Sequence, residues 1–226
     1  MELETVLKER WSCRGFRPDP VPEETLRSVL TLAQRTPSWC NTQPWHTHLV
    51  SGEALAQLAK VLTEAATSAP LDTDFPIPAG YHGAYDERRR TAGYALYASL
   101  GIERSDRPAR DLQILKNFSF FGAPHAAIIT TDRDLGVYGA IDCGGYVANL
   151  VNAAHDAGLA TVPQAALAFY SSHLREFLGL PEDRQVVCGV SLGYADPEHP
   201  ANSFRTERAE VTDAVTFVSD VAGEGR

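Results

Sequence analysis

Arg10, Ser12 and Arg14 stand at alternate positions of Arg10-Trp11-Ser12-Cys13-Arg14, and the stretch from Trp11 to Pro22 holds three prolines and one glycine. Prolines at that density make the segment extended or turning. Alternate side chains of an extended chain share a face, so Arg10, Ser12 and Arg14 point one way. Two guanidinium forks and a hydroxyl form a cradle for a phosphate or a ribityl chain. A solvated charged turn is the other reading open to these five residues. Near the far end, Asn202-Ser203-Phe204-Arg205-Thr206-Glu207-Arg208 supplies a second basic pair, Arg205 and Arg208. One phosphate dianion held from both ends of the chain would account for both clusters.

Two further segments carry more polar or ligand-facing groups than a connection needs. Pro37-Ser38-Trp39-Cys40-Asn41-Thr42-Gln43-Pro44-Trp45 offers two hydroxyls, two amides and flat indole surface. Side-chain amides both donate and accept, which suits the mixed edge of a heteroaromatic ring. Thr161-Val162-Pro163-Gln164-Ala165-Ala166 reads as a short turn in which the amides of Gln164 and Ala165 face a ligand.

Other chemistries fail on spacing. Gly189-Val190-Ser191-Leu192-Gly193 matches the nucleophile elbow, but that motif needs a helix next and an acid and a histidine downstream. Pro197 and Pro200 forbid the helix, and Asp196 and His199 lie too close together to complete a triad. His46 and His48 share a strand face, yet no second His/Cys pair has metal-ligand spacing. Neither G-x-G-x-x-G nor the P-loop occurs, so any redox chemistry runs without a dedicated nicotinamide domain.

The elements that must position these residues follow from periodicity. Short helices are predicted up to Arg10 and from Pro22 to before Pro37, and Ser51 is a predicted N-cap. Residues 66–80 read as loop, and polar helices are predicted over 83–100 and 106–117, the latter opening at Ser105-Asp106. His125–Thr131 and Gln185–Leu192 are predicted strands, Gly139–Gly158 a central buried helix, and Ser171 or Ser172 the start of another. Helices outnumber strands irregularly, which gives an α+β domain around one small sheet.

Composition agrees. The 226 residues suit a single domain spanning 1–226, and 20 Lys+Arg against 29 Asp+Glu leave a net charge of −9. That charge excludes a nucleic-acid coat, which needs a basic field. No window approaches the roughly 18–20 apolar residues of a membrane span. The charged start and four scattered cysteines predict a cytoplasmic protein with free thiols.

The motifs, taken in order, resemble the FMN-dependent nitroreductase family. R-x-S-x-R, P-S-x-x-N-x-Q-P-W, P-Q-A-A and G-Y-A-D-P…N-x-x-R-T-E-R all match, over about residues 6–215. Arg88-Arg89-Arg90 and Asn117–Pro124 are similar to its nitrobenzoate-reductase-like branch. The resemblance implies a nitroreductase-like fold, a small, mostly antiparallel central sheet flanked by helices, as a domain-swapped homodimer with FMN at the interface. It implies that Arg10, Trp11, Ser12, Arg14, Arg205 and Arg208 hold the phosphate, ribityl chain and pyrimidine edge. Pro37, Ser38, Asn41 and Gln43 would reach the flavin of the other subunit, while Pro163, Gln164 and Ala165 would cover one face of its ring. One amide there would donate to N5 and steady the reduced flavin.

The implied activity is reduction of a nitroaromatic or quinone-like acceptor by NADPH or NADH, both using one pocket in turn. Reductive dehalogenation, flavin fragmentation, enoyl reduction, or flavin binding without turnover are the alternatives on the same fold. Residues 66–121 would be variable loop and lid, with Tyr81 and Tyr85 in it. Phe118, Phe120 and Phe121 would wall the flavin or form dimer core.

Overall fold

Residues 1–219 are described by the computed structural model, which centres on four strands. These are β1 (His46–Ser51), β2 (His125–Asp132), β3 (Ala160–Gln164) and β4 (Arg184–Gly193), ordered β1-β2-β4-β3 with every neighbouring pair antiparallel. The helices are α1 (Leu3–Glu9), α2 (Glu23–Ala33), α3 (Gly52–Ser68), α4 (Ala84–Ser99), α5 (Arg107–Leu115), α6 (Gly136–Asp156) and α7 (Ser171–Leu178). Such a mixture is α+β, as expected.

β2 reads as a continuous apolar run because both its faces are covered. Ala126 and Ile128 pack with Leu55, Leu58 and Leu62 of α3 and Leu174 of α7. Ala127 and Ile129 pack instead with Val29 of α2 and Tyr146 and Leu150 of α6. Each fully buried aliphatic side chain contributes about 1.5–3 kcal/mol, so these two layers set the sheet's register.

Local signals place most elements within a few residues. Asp106 caps α5 by accepting from the Ala109 amide at 3.0 Å, as its position before the helix predicts. Ser51 occupies the N-cap of α3 but makes no side-chain cap bond. At α7 the donor is satisfied from a distance: Asp72 Oδ2 accepts from Ser172 N at 3.0 Å. The elbow motif is a plain strand, with Ser191 in β4 and its hydroxyl bonded to Gln164 Oε1.

Two expectations are corrected. Thr161–Gln164 is an edge strand, not a turn, because it pairs along β4. Phe118, Phe120 and Phe121 are buried beside α3 in this chain's own core rather than on an exposed wall or face.

His125 begins β2, 5% exposed, and its Nε2 accepts from the Val21 amide at 2.9 Å. Burial pushes its pKa below the usual 6.5. The unfolded chain therefore binds this proton first as pH falls through about 6.5, so the stabilisation is complete above that value and lost below it. His48 and His155 are also shifted down chiefly by burial and act with the same sign. His125→Leu is expected to cost about 1–3 kcal/mol near neutral pH, by stranding the Val21 amide, and to flatten the acid side of the stability profile. Denaturant titrations across pH 5–8 check this, and an unchanged slope overturns it.

Candidate functional site

Arg10 leaves α1 in an extended conformation, with φ −61° and ψ 133°. From there the chain runs beside the open edge of β3: Ser12 bridges Thr161, and the Cys13 amide donates to Thr161 O at 2.9 Å. Cys13 turns fully into the core, while Arg10, Ser12 and Arg14 remain half-buried, in keeping with the predicted alternation. Further on, Phe16 bridges Ala195, and the Asp196 amide donates to Gly15 O at 3.0 Å. The N-terminal motif is thus threaded between β3 and the segment that follows β4.

Asn202 joins the two ends of the chain. Its Nδ2 donates to Gly15 O and to Asp196 O, each at 2.8 Å, and its Oδ1 accepts from Arg14 N at 2.9 Å. Only 7% exposed, it was absent from the site residues expected on sequence; the signal was the asparagine that opens N-x-x-R. Gly15 is required beside it, because an added Cβ would lie 2.1 Å from the His199 ring. Arg205 stacks its guanidinium 4.2 Å from the Trp11 ring centre, and its Nη1 donates to Asn202 O at 2.9 Å.

The arginines from both ends therefore converge. Burial, and then the positive charge of Arg208, push the Arg10 pKa below its ordinary value. Burial does the same to Arg14. Among the described residues, none of Arg10, Arg14, Arg205 and Arg208 has a carboxylate partner. Of the four, Arg10 and Arg14 are partly desolvated; uncompensated guanidinia of that kind are costly, and a phosphate dianion is the natural complement of the cluster. The donor set fits the FMN phosphate.

Pro163 and Ala165 are exposed, whereas Gln164 is only 3% exposed. The Gln164 Nε2 donates to Asn117 O at 2.9 Å, and its Oε1 accepts from Ser191, so its side chain is committed inward. Thr161 presents its carbonyl outward to Cys13, and outward groups recur at every second residue. Pro163 has no N–H, so the next outward amide is that of Ala165, while Gln164 faces β4 opposite Gly189. Of the two amides expected to face a ligand, only Ala165's lies on the open edge.

The third motif lies elsewhere. Pro37, Asn41 and Gln43 are exposed and Ser38 is half-buried, in a loop held by its own bonds. Ser38 Oγ accepts from Gln43 N at 2.9 Å, and Trp39 N donates to Asp142 of α6 at 3.1 Å. Cys40, Asn41 and Gln43 adopt φ of 51°, 56° and 48°, a left-handed region that non-glycine residues enter only under constraint. This loop feeds β1, whereas Ser12 lies along β3, the opposite edge of the sheet. Three strand spacings separate those edges by about 14 Å. Register widens the gap, because Thr161, Leu192, His125 and Ser51 align across the sheet and Gln43 precedes Ser51 by eight residues. One chain sets the two groups at diagonally opposite corners.

Helices α4 and α5 contribute no buried residue. Their outgoing end is tied to β3 by the Gln164–Asn117 bonds. Tyr81 and Tyr85 are exposed, with Arg89 5.5 Å from the Tyr81 ring centre. Among the described residues, no group of three or more His, Cys, Asp or Glu could hold a metal. Burial pushes the Cys13 and Cys143 thiols up to about 11 and Cys188 to about 12, which leaves them inert. Among the described residues, no helix is long and apolar enough to cross a membrane.

Comparison with known proteins points the same way as this geometry. The model of the nitroreductase family matches residues 7–194. The chain is 40% identical over 215 residues to nitroreductase NfnB of Mycolicibacterium smegmatis (strain ATCC 700084 / mc(2)155), covering 95% of this chain and 92% of that one. It is 36% identical to the 4-nitrobenzoate reductase of Nocardioides sp. (strain LMS-CY), covering 96% and 90%. The crystal structure of the FMN-dependent nitroreductase NfnB from Mycobacterium smegmatis in complex with NADPH superimposes with a TM-score of 0.91 at 39% identity, over 95% of this chain and 97% of that one.

Proposed function

This chain belongs to the nitroreductase family, and from that premise we propose that it is an FMN-dependent oxidoreductase that reduces nitroaromatic compounds with NADPH or NADH. The convergence of arginines from both chain ends, without a carboxylate partner among the described residues, carries the reading. When bound, FMN supplies a two-electron carrier able to take hydride from a nicotinamide and pass electrons to a nitro group.

The chain's own residues bind and orient. Arg10, Arg14, Arg205 and Arg208 hold the phosphate, and Ser12 lies with them along β3 beside the ribityl chain. Trp11, stacked under Arg205, fixes that guanidinium in place. Pro163 and Ala165 present the exposed edge of β3 to the ring, with the Ala165 amide as the donor where negative charge develops. Gln164 acts through position, since its buried side chain locks β3 to Asn117 and Ser191.

The loop of Pro37, Ser38, Asn41 and Gln43 completes the site of a second copy, because its corner of the sheet lies too far from its own arginines. The outer face of α6 supports that homodimer: Val137 and Ile141 are 66% and 59% exposed, and Gly144 and Ala148 continue the face. At Gly144 an added Cβ would meet nothing of this chain within 4 Å, leaving room for close approach by another. The described residues, 1–219, act as one domain, and the unpaired cysteines suit the reducing cytoplasm.

The purified protein should elute as a dimer carrying one FMN per chain. Its yellow colour should bleach on anaerobic addition of NADPH and return when a nitroaromatic is added. A colourless protein that takes up no FMN, or a flavin that neither dinucleotide reduces, overturns the reading.

A further inference from the structure

Between α4 and α5 lies a hollow of about 540 Å³ lined by Arg104, Ser105, Arg107 and Arg110, with Glu103 its only carboxylate. None of these arginines is ion-paired among the described residues, although Asp86 on α4 engages both Arg89 and Arg90, at 2.9 and 3.4 Å. Asp106 is spent on capping α5. Arg110 Nε is buried without a hydrogen-bond partner. Arg104 is steadied 5.3 Å from the Tyr94 ring centre. An apolar groove of about 460 Å³ shares Glu103, Arg104 and Arg110 with the hollow and adds Tyr94, Tyr97 and Ile102. Flat aromatic surface thus adjoins unpaired guanidinia, which suits a ligand with a planar base beside a phosphate dianion.

We infer that this hollow receives the 2′-phosphate of NADPH, with the adenine in the adjoining groove, and so selects NADPH over NADH. The inference rests on the functional reading above and goes further by naming the reductant and the residues that choose it. Arg107 precedes Asn117 by ten residues, a path of about 15 Å at helical rise. Asn117 is where Gln164 ties this excursion to β3, so the length of chain between the hollow and that strand is of the order an extended dinucleotide spans. NADH carries a hydroxyl in place of that phosphate and so offers the guanidinia no charged partner there.

Arg104 and Arg107 are exposed, so the double variant Arg104→Gln/Arg107→Gln should fold. The ratio of kcat/KM for NADPH over NADH is expected to fall about tenfold or more, as charge-assisted bonds are lost. Calorimetry provides the second readout: adenosine 2′,5′-bisphosphate should bind the unsubstituted protein more tightly than adenosine 5′-monophosphate, and the double variant should lose that difference. An unchanged ratio, equal losses with both dinucleotides, or no NADPH preference in the unsubstituted protein overturns the inference. So does a variant that loses only its discrimination of 4-nitrobenzoate from nitrobenzene, which would assign the hollow to the acceptor's carboxylate. A protein that holds no FMN sinks the functional reading instead, and the bisphosphate comparison still decides the hollow.

Discussion

Replacing Arg14 with Met is expected to weaken FMN binding by about tenfold to a hundredfold, the effect of losing a charge-assisted hydrogen bond worth about 1.5–3 kcal/mol. The same substitution should leave the FMN-free protein as stable or more so. Arg14 is half-buried, its pKa is pushed down by burial, and its one side-chain bond runs to Ser12 O at 3.3 Å. A desolvated charge without a counter-ion gains little from its surroundings, and replacing such charges with apolar side chains is often neutral or stabilising. Flavin titration and thermal melts, with and without FMN, separate the two effects. Unchanged flavin affinity would remove Arg14 from the site. A large loss of stability in the flavin-free protein would show that its charge is compensated within the fold.

The second large effect is expected at Asn202. Asn202→Ala leaves the Arg14 amide without its partner and removes one donor each from the Gly15 and Asp196 carbonyls, which keep the Asp196 and His199 amides. At about 1–3 kcal/mol for the stranded amide and about 1 kcal/mol for each of the two lost hydrogen bonds, less than additively, the loss should be about 2–4 kcal/mol. For a chain of this size that lowers Tm by roughly 10 °C. FMN retention should fall as well, since Arg14 and the segment bearing Arg205 and Arg208 lose their common anchor. Excess FMN should restore part of the Tm by mass action. A Tm shift below about 2 °C in the flavin-free protein would show that other contacts hold the two ends together.

Much of this was legible in the residues. Helices such as α5 declare themselves locally: Asp106 before the first turn needs no distant partner. The alternation that puts Arg10, Ser12 and Arg14 on one face likewise depends only on an extended backbone. In sequence β3 resembles a turn, because five residues containing a proline carry little strand signal. Its strand character comes from β4, far away in sequence, and from the bridge to Ser12. The phenylalanines after Asn117 misled for a related reason. Type alone does not separate a core aromatic from a lid aromatic, and packing against α3 makes the difference.

By itself the sequence determined the chemistry on offer: guanidinia near both ends, a polar loop before β1, an amide-bearing stretch after α6, and no nicotinamide-binding motif. Side-chain type and short spacing suffice for that. Only the tertiary structure decided which groups meet. Strand order carried the Arg10–Arg14 segment to one edge of the sheet and the Pro37–Gln43 loop to the opposite corner, and Asn202 drew the two chain ends together. It also separated the Ala165 amide, on the open edge, from that of Gln164, which faces β4. These are long-range pairings, fixed by burial on both faces of β2 and by backbone groups that must find partners once water is excluded.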